Sequence, residues 1–531
     1  MASASALFTA SWGQTLTYLL AVCPFSIAFL VFINSSVSFV VTDLIGLQKG
    51  EGDAVGTLGF ADELLALIAC PLWGVLSDRI GVRHVCTIGY VIIAIALVLF
   101  VQATNIYPQL LLGRLLFSVG GSAVSTMVTA VLPTITGRAL GAQPCQISVP
   151  SDQTFSPEQT SSQPHRGTAD PVRDSSSARL SGFVARFEKM GLSPSQAIQR
   201  SYYLVAAVAV IIGLICFVGL RDLPGEQGKG WKALSNVSSH SSEQSEEEQH
   251  VAHVQPPRLP YWNQLTTAFL LGFRNRDIGL GYIGGFVARA SSVGISLFIP
   301  LAVNHYYRAS GLCDDHEPEP GTGLGDMKRA CPRAYILASI LTGVSQLVAL
   351  LAAPAIGFLT DKSHRYHFPL LVGALVGIAG YVAFPLLPSP QFQGPGGNVA
   401  VFVVMALIGI SQIGAIVCSL AVLSNGILQV NIDESSRKST DRRIEPHVEP
   451  ESQPLLAETG NELLQLSQLK GSIAGVYSLY GGAGILVLTK VGGWLFDALS
   501  SATPFYILAG FNGVLLVTGL GCGALNHLAP R

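Results

Sequence analysis

The sequence predicts an all-α membrane protein built from two related halves, and three observations carry that reading. Only 12% of the 531 residues are charged and 49% are hydrophobic, whereas a soluble domain carries about a quarter charged residues. Mean hydropathy is +0.47. Apolar runs that reach the roughly 20 residues needed to cross a bilayer recur along the whole chain. Finally, a stretch near the start returns in the second half. A shift of 283 positions lays Leu64–Asp78 on Leu347–Asp361 without a gap, and eight of the fifteen positions are identical, among them Pro71 with Pro354 and Gly74 with Gly357. An ungapped match of that quality marks an internal duplication, as in transporters built from repeats.

Taken in order, the apolar runs predict spans over about 16–42, 54–77, 85–104, 108–136, 201–220, 278–307, 334–359, 368–388, 399–423, 471–496 and 503–526. The first run is followed by a polar loop and further spans, so it reads as a retained helix rather than a cleaved signal peptide. Residues 140–178 are rich in Ser, Pro and Gln and read as a disordered loop. The segment after them has one apolar stretch, interrupted by Arg186, Glu188 and Lys189. Residues 221–277 form a polar central linker, including the run SSEQSEEEQH, and 424–470 form a second polar loop. The halves are therefore 1–220 and 278–531.

The repeat ends in a recognisable pattern. Its first copy reads G-x-x-x-D-R-x-G-x-R through Gly74, Asp78, Arg79, Gly81 and Arg83, with His84 following. The second keeps Gly357, Asp361 and Lys362 and then drifts, with His364 at the glycine position. This resembles the loop motif of the major facilitator superfamily, found after the second span and, weakened, after the eighth. The resemblance covers most of the chain. It implies two six-helix halves related by a pseudo-two-fold axis and twelve spans, with both termini cytoplasmic.

Eleven spans are clear, and the gap falls between 137 and 200. Both motif copies have to face one compartment, and an odd number of spans would invert the second half. Most of the 31 Lys and Arg fall on the motif side in the twelve-span layout, which the positive-inside rule favours. A fifth helix is therefore expected near 178–200 in shortened or amphipathic form, unless a piece of it is missing from the sequence.

Several classes of function are excluded by pattern. A net charge of −2 without a basic, aromatic-interleaved patch gives no sign of nucleic-acid binding. Nine cysteines lie scattered without C-x-x-C pairs, so neither a metal nor a redox centre is expected. There is no phosphate-binding G-x-x-x-x-G-K-[ST] and no H-E-x-x-H. No cofactor is expected, and the chain does not read as an enzyme. Cys313 and Cys331 share the external loop 309–333, where they either form a disulfide or stand as two thiols.

Charges inside apolar spans are costly and face a cavity or a partner. Asp62 and Glu63 lie about 24 and 22 Å up the helix from Asp78, at 1.5 Å per residue, and their repeat counterparts are the uncharged Ser345 and Gln346. Glu63 shares a face with Ala66, Cys70 and Gly74, a close-packing stripe. Asp62 points about 100° away and is the preferred cavity acid, unless both are merely solvated at the interface. Arg114, in GRLLFSVGGSAV, resembles the R-x-x-x-G-x-G pattern of proton-coupled members, with Ser118 at the first glycine. It either tunes a neighbouring acid or snorkels to the lipid interface. Arg289 is the most central charge and suits an anionic or zwitterionic solute, or an ion pair with the first half. Asn34, Gln346, Gln412 and Tyr480 either line the cavity or bond neighbouring helices. Lys490 falls where snorkelling is expected.

The motif implies a latch. Asp78 accepts from the N-terminus of a helix of the other half, Arg79 and Arg83 hold the contact, and Gly81 turns the loop. Taken together, the resemblance implies a secondary transporter of a small organic solute or drug-like molecule, working by alternating access with proton-coupled antiport. Its partners are the lipid bilayer, the solute and protons. The alternatives are a facilitative uniporter or symporter of a metabolite, or a receptor or scaffold without transport. Glu451-Ser-Gln-Pro-Leu455-Leu456 resembles an acidic dileucine sorting signal, which leaves the plasma membrane and a vacuolar or lysosomal membrane both open.

Overall fold

The computed structural model describes residues 10–45, 51–136, 194–223, 226, 261–312, 331–363, 368–392, 397–441 and 469–528. Among them there are helices and turns but no strand. Eleven helices are long and apolar enough to cross a membrane, and each coincides with one of the spans expected from sequence.

In the first half, the chain enters through Trp12–Thr17, capped by Ser11 and Gln14, whose side chains bond each other's backbone N–H. It continues as α1 (Cys23–Phe39), α2 (Glu51–Ile80), α3 (Val82–Phe100), α4 (Leu111–Thr136) and α5 (Pro194–Gly219). A short helix, α6 (Tyr261–Arg274), precedes the second half. That half comprises α7 (Arg276–Val293, continued to Ala309), α8 (Pro332–Lys362), α9 (Phe368–Leu386), α10 (Ala400–Asp441), α11 (Lys470–Val487, continued to Ala498) and α12 (Thr503–Leu528). Five-residue π-helical turns interrupt the first, sixth and tenth of these eleven spans at Tyr18–Val22, Gly294–Phe298 and Leu488–Gly492. Such turns widen a helix locally and frequently sit at functional sites.

The duplication is structural as well as sequential. The 283-residue shift lays α2 on 334–363, within two residues of α8, and both helices carry a proline inside, Pro71 and Pro354. Helix pairs repeat too. The packing of α3 on α4 and α5 returns as α9 on α10 and α12, and that of α2 on α4 returns as α8 on α10. In this scheme α5 holds the sixth position of its half. The fifth, the counterpart of α11, has no occupant among the described residues.

Helix directions sharpen that point. A Cβ on Gly113 would lie 3.3 Å from Phe100 and one on Gly89 2.8 Å from Val124, so α4 runs antiparallel to α3 and ends on the Val82 side. Tyr202 stacks on Phe100, and Phe217 meets His84 edge-on, so α5 starts at the Phe100 end and finishes at the Val82 end. Thr136 and Pro194 therefore lie at opposite ends of the bundle. Of the segment expected to hold the fifth helix, 194–200 forms the first turns of α5, and 178–193 lies outside the described residues.

Two polar regions differ from expectation. The linker 221–277 contains α6, whose Gln264, Ala268 and Leu271 are buried while Trp262, Phe269, Leu270 and Phe273 are exposed. Its average polarity comes from its other residues and hides a 14-residue amphipathic stretch. The loop expected to start at 424 begins as a continuation of α10 to Asp441, a stretch without proline whose single glycine, Gly426, packs closely on Ile278. The disordered loop 140–178, SSEQSEEEQH and the dileucine pattern lie outside the described residues.

Large buried side chains, among them Tyr90, Phe100, Phe117 and Tyr202 in the first half and Phe298, Tyr381 and Phe505 in the second, fill the interior of each bundle. The outer faces of α5 and α8 expose Ile211, Leu214 and Val218, and Leu350, Leu351 and Phe358. In a bilayer such faces contact lipid tails without penalty.

Candidate functional site

Asp78 sits at the end of α2, 7% exposed, against the first turn of α11. The backbone N–H groups of Gly471 and Ser472 each donate to its carboxylate at 2.7 Å, and Ser472 Oγ donates at 2.6 Å. The first N–H groups of a helix have no partner within it, and the helix dipole favours an anion there. One carboxylate thus joins the two halves.

Close backbone approach makes the contact possible. A Cβ on Gly475 would lie 2.8 Å from Cys70 O and 2.9 Å from Pro71 Cα, closer than real Cβ atoms come. The seam then runs on. A Cβ on Gly482 would lie 3.2 Å from Leu67, and the Lys490 ammonium stands 3.8 Å over the Phe60 ring. From Phe60 to Asp78 the antiparallel α2–α11 contact spans about 27 Å.

The rest of the motif holds the turn. Gly81 adopts φ 91°, which an L side chain rarely tolerates, and the N–H of Val82 donates to Glu226 Oε1 at 2.9 Å. The Arg79 guanidinium stacks 3.5 Å over Tyr261 of α6, and Arg83 stands 3.9 Å over Phe217 of α5. In the second copy Gly357 has no atom within 4 Å of its Cβ position, and Asp361 and Lys362 are exposed.

Sixteen residues up α2, Asp62 is 6% exposed and Arg114 4%. Arg114 Nη2 lies 2.6 Å from Asp62 Oδ2 and also donates to Asn34 Oδ1. Ser118 Oγ, one turn along α4, donates to the backbone carbonyl of Asp62 at 2.8 Å. One polar chain therefore links α1, α2 and α4. The second half repeats it with amides: Gln346 Nε2 donates to Gln412 Oε1 at 3.1 Å, and Gln412 Nε2 to Ser292 Oγ at 3.0 Å. These side chains come from α8, α10 and α7, the counterparts of α2, α4 and α1. The first half carries a buried ion pair where the second carries a neutral relay.

Glu63 is half-buried and Arg289 exposed; Arg289 packs on Gly481 of α11, and the adjacent Gly482 packs on Leu67, one turn from Glu63. Tyr480 stands apart from these groups, stacked 5.2 Å from Tyr282 and 5.9 Å from Phe269. Cys331 is disulfide-bonded; Cys313 lies outside the described residues.

The family model of the Major Facilitator Superfamily matches residues 24–142 and 181–429, more than half of the chain. The chain belongs to the major facilitator superfamily. Among solved structures, this facilitator is similar to a mutant form of the nucleoside transporter NupG, at 15% identity and TM-score 0.43, over 96% of this chain and 99% of that one. It is also similar to the proton:xylose symporter XylE bound to 6-bromo-6-deoxy-D-glucose, at 11% identity and TM-score 0.49, over 97% and 95%. No curated protein matches it. As a member of the superfamily, the protein is a multi-pass membrane transporter of small solutes.

Sequence reasoning did not name Gly471, Ser472, Tyr261, Glu226, Phe217 or Ser292. The run KGSIAG, small residues directly after a polar loop, was the one available signal for the helix that receives Asp78.

Proposed function

We propose that this facilitator is a proton-coupled secondary transporter of a small organic solute, in which the halves rock about the acids of α2. The observation that carries the reading is the buried Asp62–Arg114 ion pair, extended to the exposed Asn34 and lying beside Glu63, an ionic cluster with no counterpart among the described residues of the other half. Charge buried in an apolar span has a structural cost, and intramembrane acids beside a fixed cation are the usual carriers of protons. Asp78 on the α11 N-terminus closes the motif side. Exchange of states then requires breaking three hydrogen bonds to one carboxylate.

Antiport, favoured from sequence, and symport are the two signs this coupling can take. The test is accumulation of labelled solutes in sealed vesicles carrying the purified protein under an imposed pH gradient. The reading expects uptake that a protonophore abolishes. Uptake that only equilibrates and ignores the protonophore would make the protein a uniporter. An absence of flux for anionic, neutral and cationic solutes alike would favour a receptor or scaffold.

A further inference from the structure

Once Asp62 is matched to Arg114, one acid and one base remain near the centre, on opposite halves. Among the described residues, neither Glu63 nor Arg289 forms an ion pair within 4 Å, the two such pairs being Arg114–Asp62 and Arg221–Asp222. They are nevertheless neighbours across the seam. A Cβ on Gly481 of α11 would lie 2.8 Å from Arg289 Cγ, and a Cβ on the next residue, Gly482, 3.2 Å from Leu67 of α2. Glu63 is one helical turn from Leu67 on the same face. Arg289 is exposed although it is wedged against α11 within the charge field of Glu63. Its head therefore opens into the space between the halves rather than toward lipid.

The charges facing Glu63 are Asp62 on its own helix, Arg114 of α4 and Arg289 of α7. Tyr477 of α11 shares the field of Arg289, and Lys490 of α11 lies one turn further out, over Phe60. With both acids ionised, the four central charges sum to zero. With Glu63 protonated, one positive charge is left over. It cannot be shed, because a guanidinium keeps its proton at any physiological pH, and its planar fork fits oxyanions two-pronged. Arg114 adds buried Nε and Nη1 atoms that have no partner among the described residues.

We infer that Arg289 receives the oxyanion group of an organic anion, a carboxylate or a phosphate ester, and that Glu63 and this anion exclude one another at Arg289. Proton and anion then bind together and travel in the same direction, which makes the protein an organic-anion–proton symporter. The inference rests on the transport reading above but goes further, because it sets both the class of solute and the sign of coupling. A cationic solute would be repelled by the uncovered guanidinium, and a neutral one would leave its charge unbalanced.

The experiment uses the whole protein in sealed vesicles, with labelled gluconate, succinate and glycerol phosphate as anions, and glucose and tetraethylammonium as neutral and cationic comparisons, each against protein-free vesicles. The inference expects at least one anion to accumulate when the outside is acid. Adding that anion to the purified protein in weak buffer should take up protons, and its affinity should fall by up to about tenfold per pH unit above the ionisation of Glu63. Arg289→Gln should weaken anion binding at least tenfold, with part restored in Arg289→Lys. Glu63→Gln should bind the anion with no proton uptake and no pH dependence. Whether succinate or glycerol phosphate is preferred separates carboxylate from phosphate recognition.

Proton release on binding, or accumulation only when the inside is acid, would overturn the symport inference while leaving proton-coupled transport standing; transport confined to glucose or tetraethylammonium and untouched by Arg289→Gln would overturn the inference and leave the protonophore to decide the broader reading. No flux of any of the five solutes would remove both readings.

Discussion

Asp78 shows how much one side chain can hold. Its oxygens accept from two backbone N–H groups and one hydroxyl of the other half, and hydrogen bonds to a charged group contribute about 1.5–3 kcal/mol each. Asp78→Asn keeps the shape but removes the charge and turns one acceptor into a donor facing N–H groups. Transport in this variant is expected to fall at least tenfold while the folded protein still reaches its membrane, read by uptake against surface or vesicle content. Normal uptake would show that the contact does not control the transport cycle. The acceptor was legible in the motif, but its donors stand 393 and 394 residues away, where no local pattern connects them. The two acids teach a related lesson. Position on a helical wheel separates Asp62 from Glu63 by about 100° but does not say which neighbour each face meets. The structure puts Asp62 against Arg114 and leaves Glu63 toward Arg289. Asp62→Asn strands a buried guanidinium, which costs about 3–5 kcal/mol, so it should lower thermal stability more than Glu63→Gln does. Adding Arg114→Gln to Asp62→Asn should recover much of that loss. If the double variant is no more stable than Asp62→Asn alone, the ion pair is not what holds these helices together.

At the scale of elements, every span was legible because an apolar run of bilayer length has few other uses. What escaped was α6, too short for a span and hidden in a polar linker. Its Tyr261 carries the Arg79 guanidinium, and its neighbours Ala268 and Leu271 are buried. The helix therefore links the latch to the start of the second half. A cation–π contact contributes about 0.5–2 kcal/mol, so Tyr261→Ala should change transport severalfold, far less than Asp78→Asn; equal losses in both would mean that α6 itself carries the latch. The α2–α11 seam is less forgiving. Gly475→Val would drive a branched side chain into the backbone of Cys70 and Pro71. Cross-linking between cysteines placed at the Asp78 end of the seam should disappear in that variant. The fifth helix was the opposite case, an element demanded by parity alone. The structure restates the demand physically, since α4 ends and α5 starts at opposite ends of the bundle.

For the molecule as a whole, duplication supplies the frame and divergence supplies the chemistry. Both halves tie their first, second and fourth helices together through polar side chains at similar depth, but one does so with Asp62, Arg114 and Asn34 and the other with Gln346, Gln412 and Ser292. The sequence showed the repeat and the missing acids of the second copy. It did not show that the amides take over the same geometry, because the three contributors are far apart in the chain. The buried ion pair thus belongs to one half, and the other holds the same three helices with neutral groups. The central claim is that the acids of α2 move protons with the solute. The measurement that tests it most directly is solute-dependent proton flux in sealed vesicles, compared between the wild type and Glu63→Gln. The account predicts flux in the wild type and none in the variant, at equal protein content and with the variant folded. Solute uptake without proton movement in the wild type, or unchanged proton movement in Glu63→Gln, would contradict it.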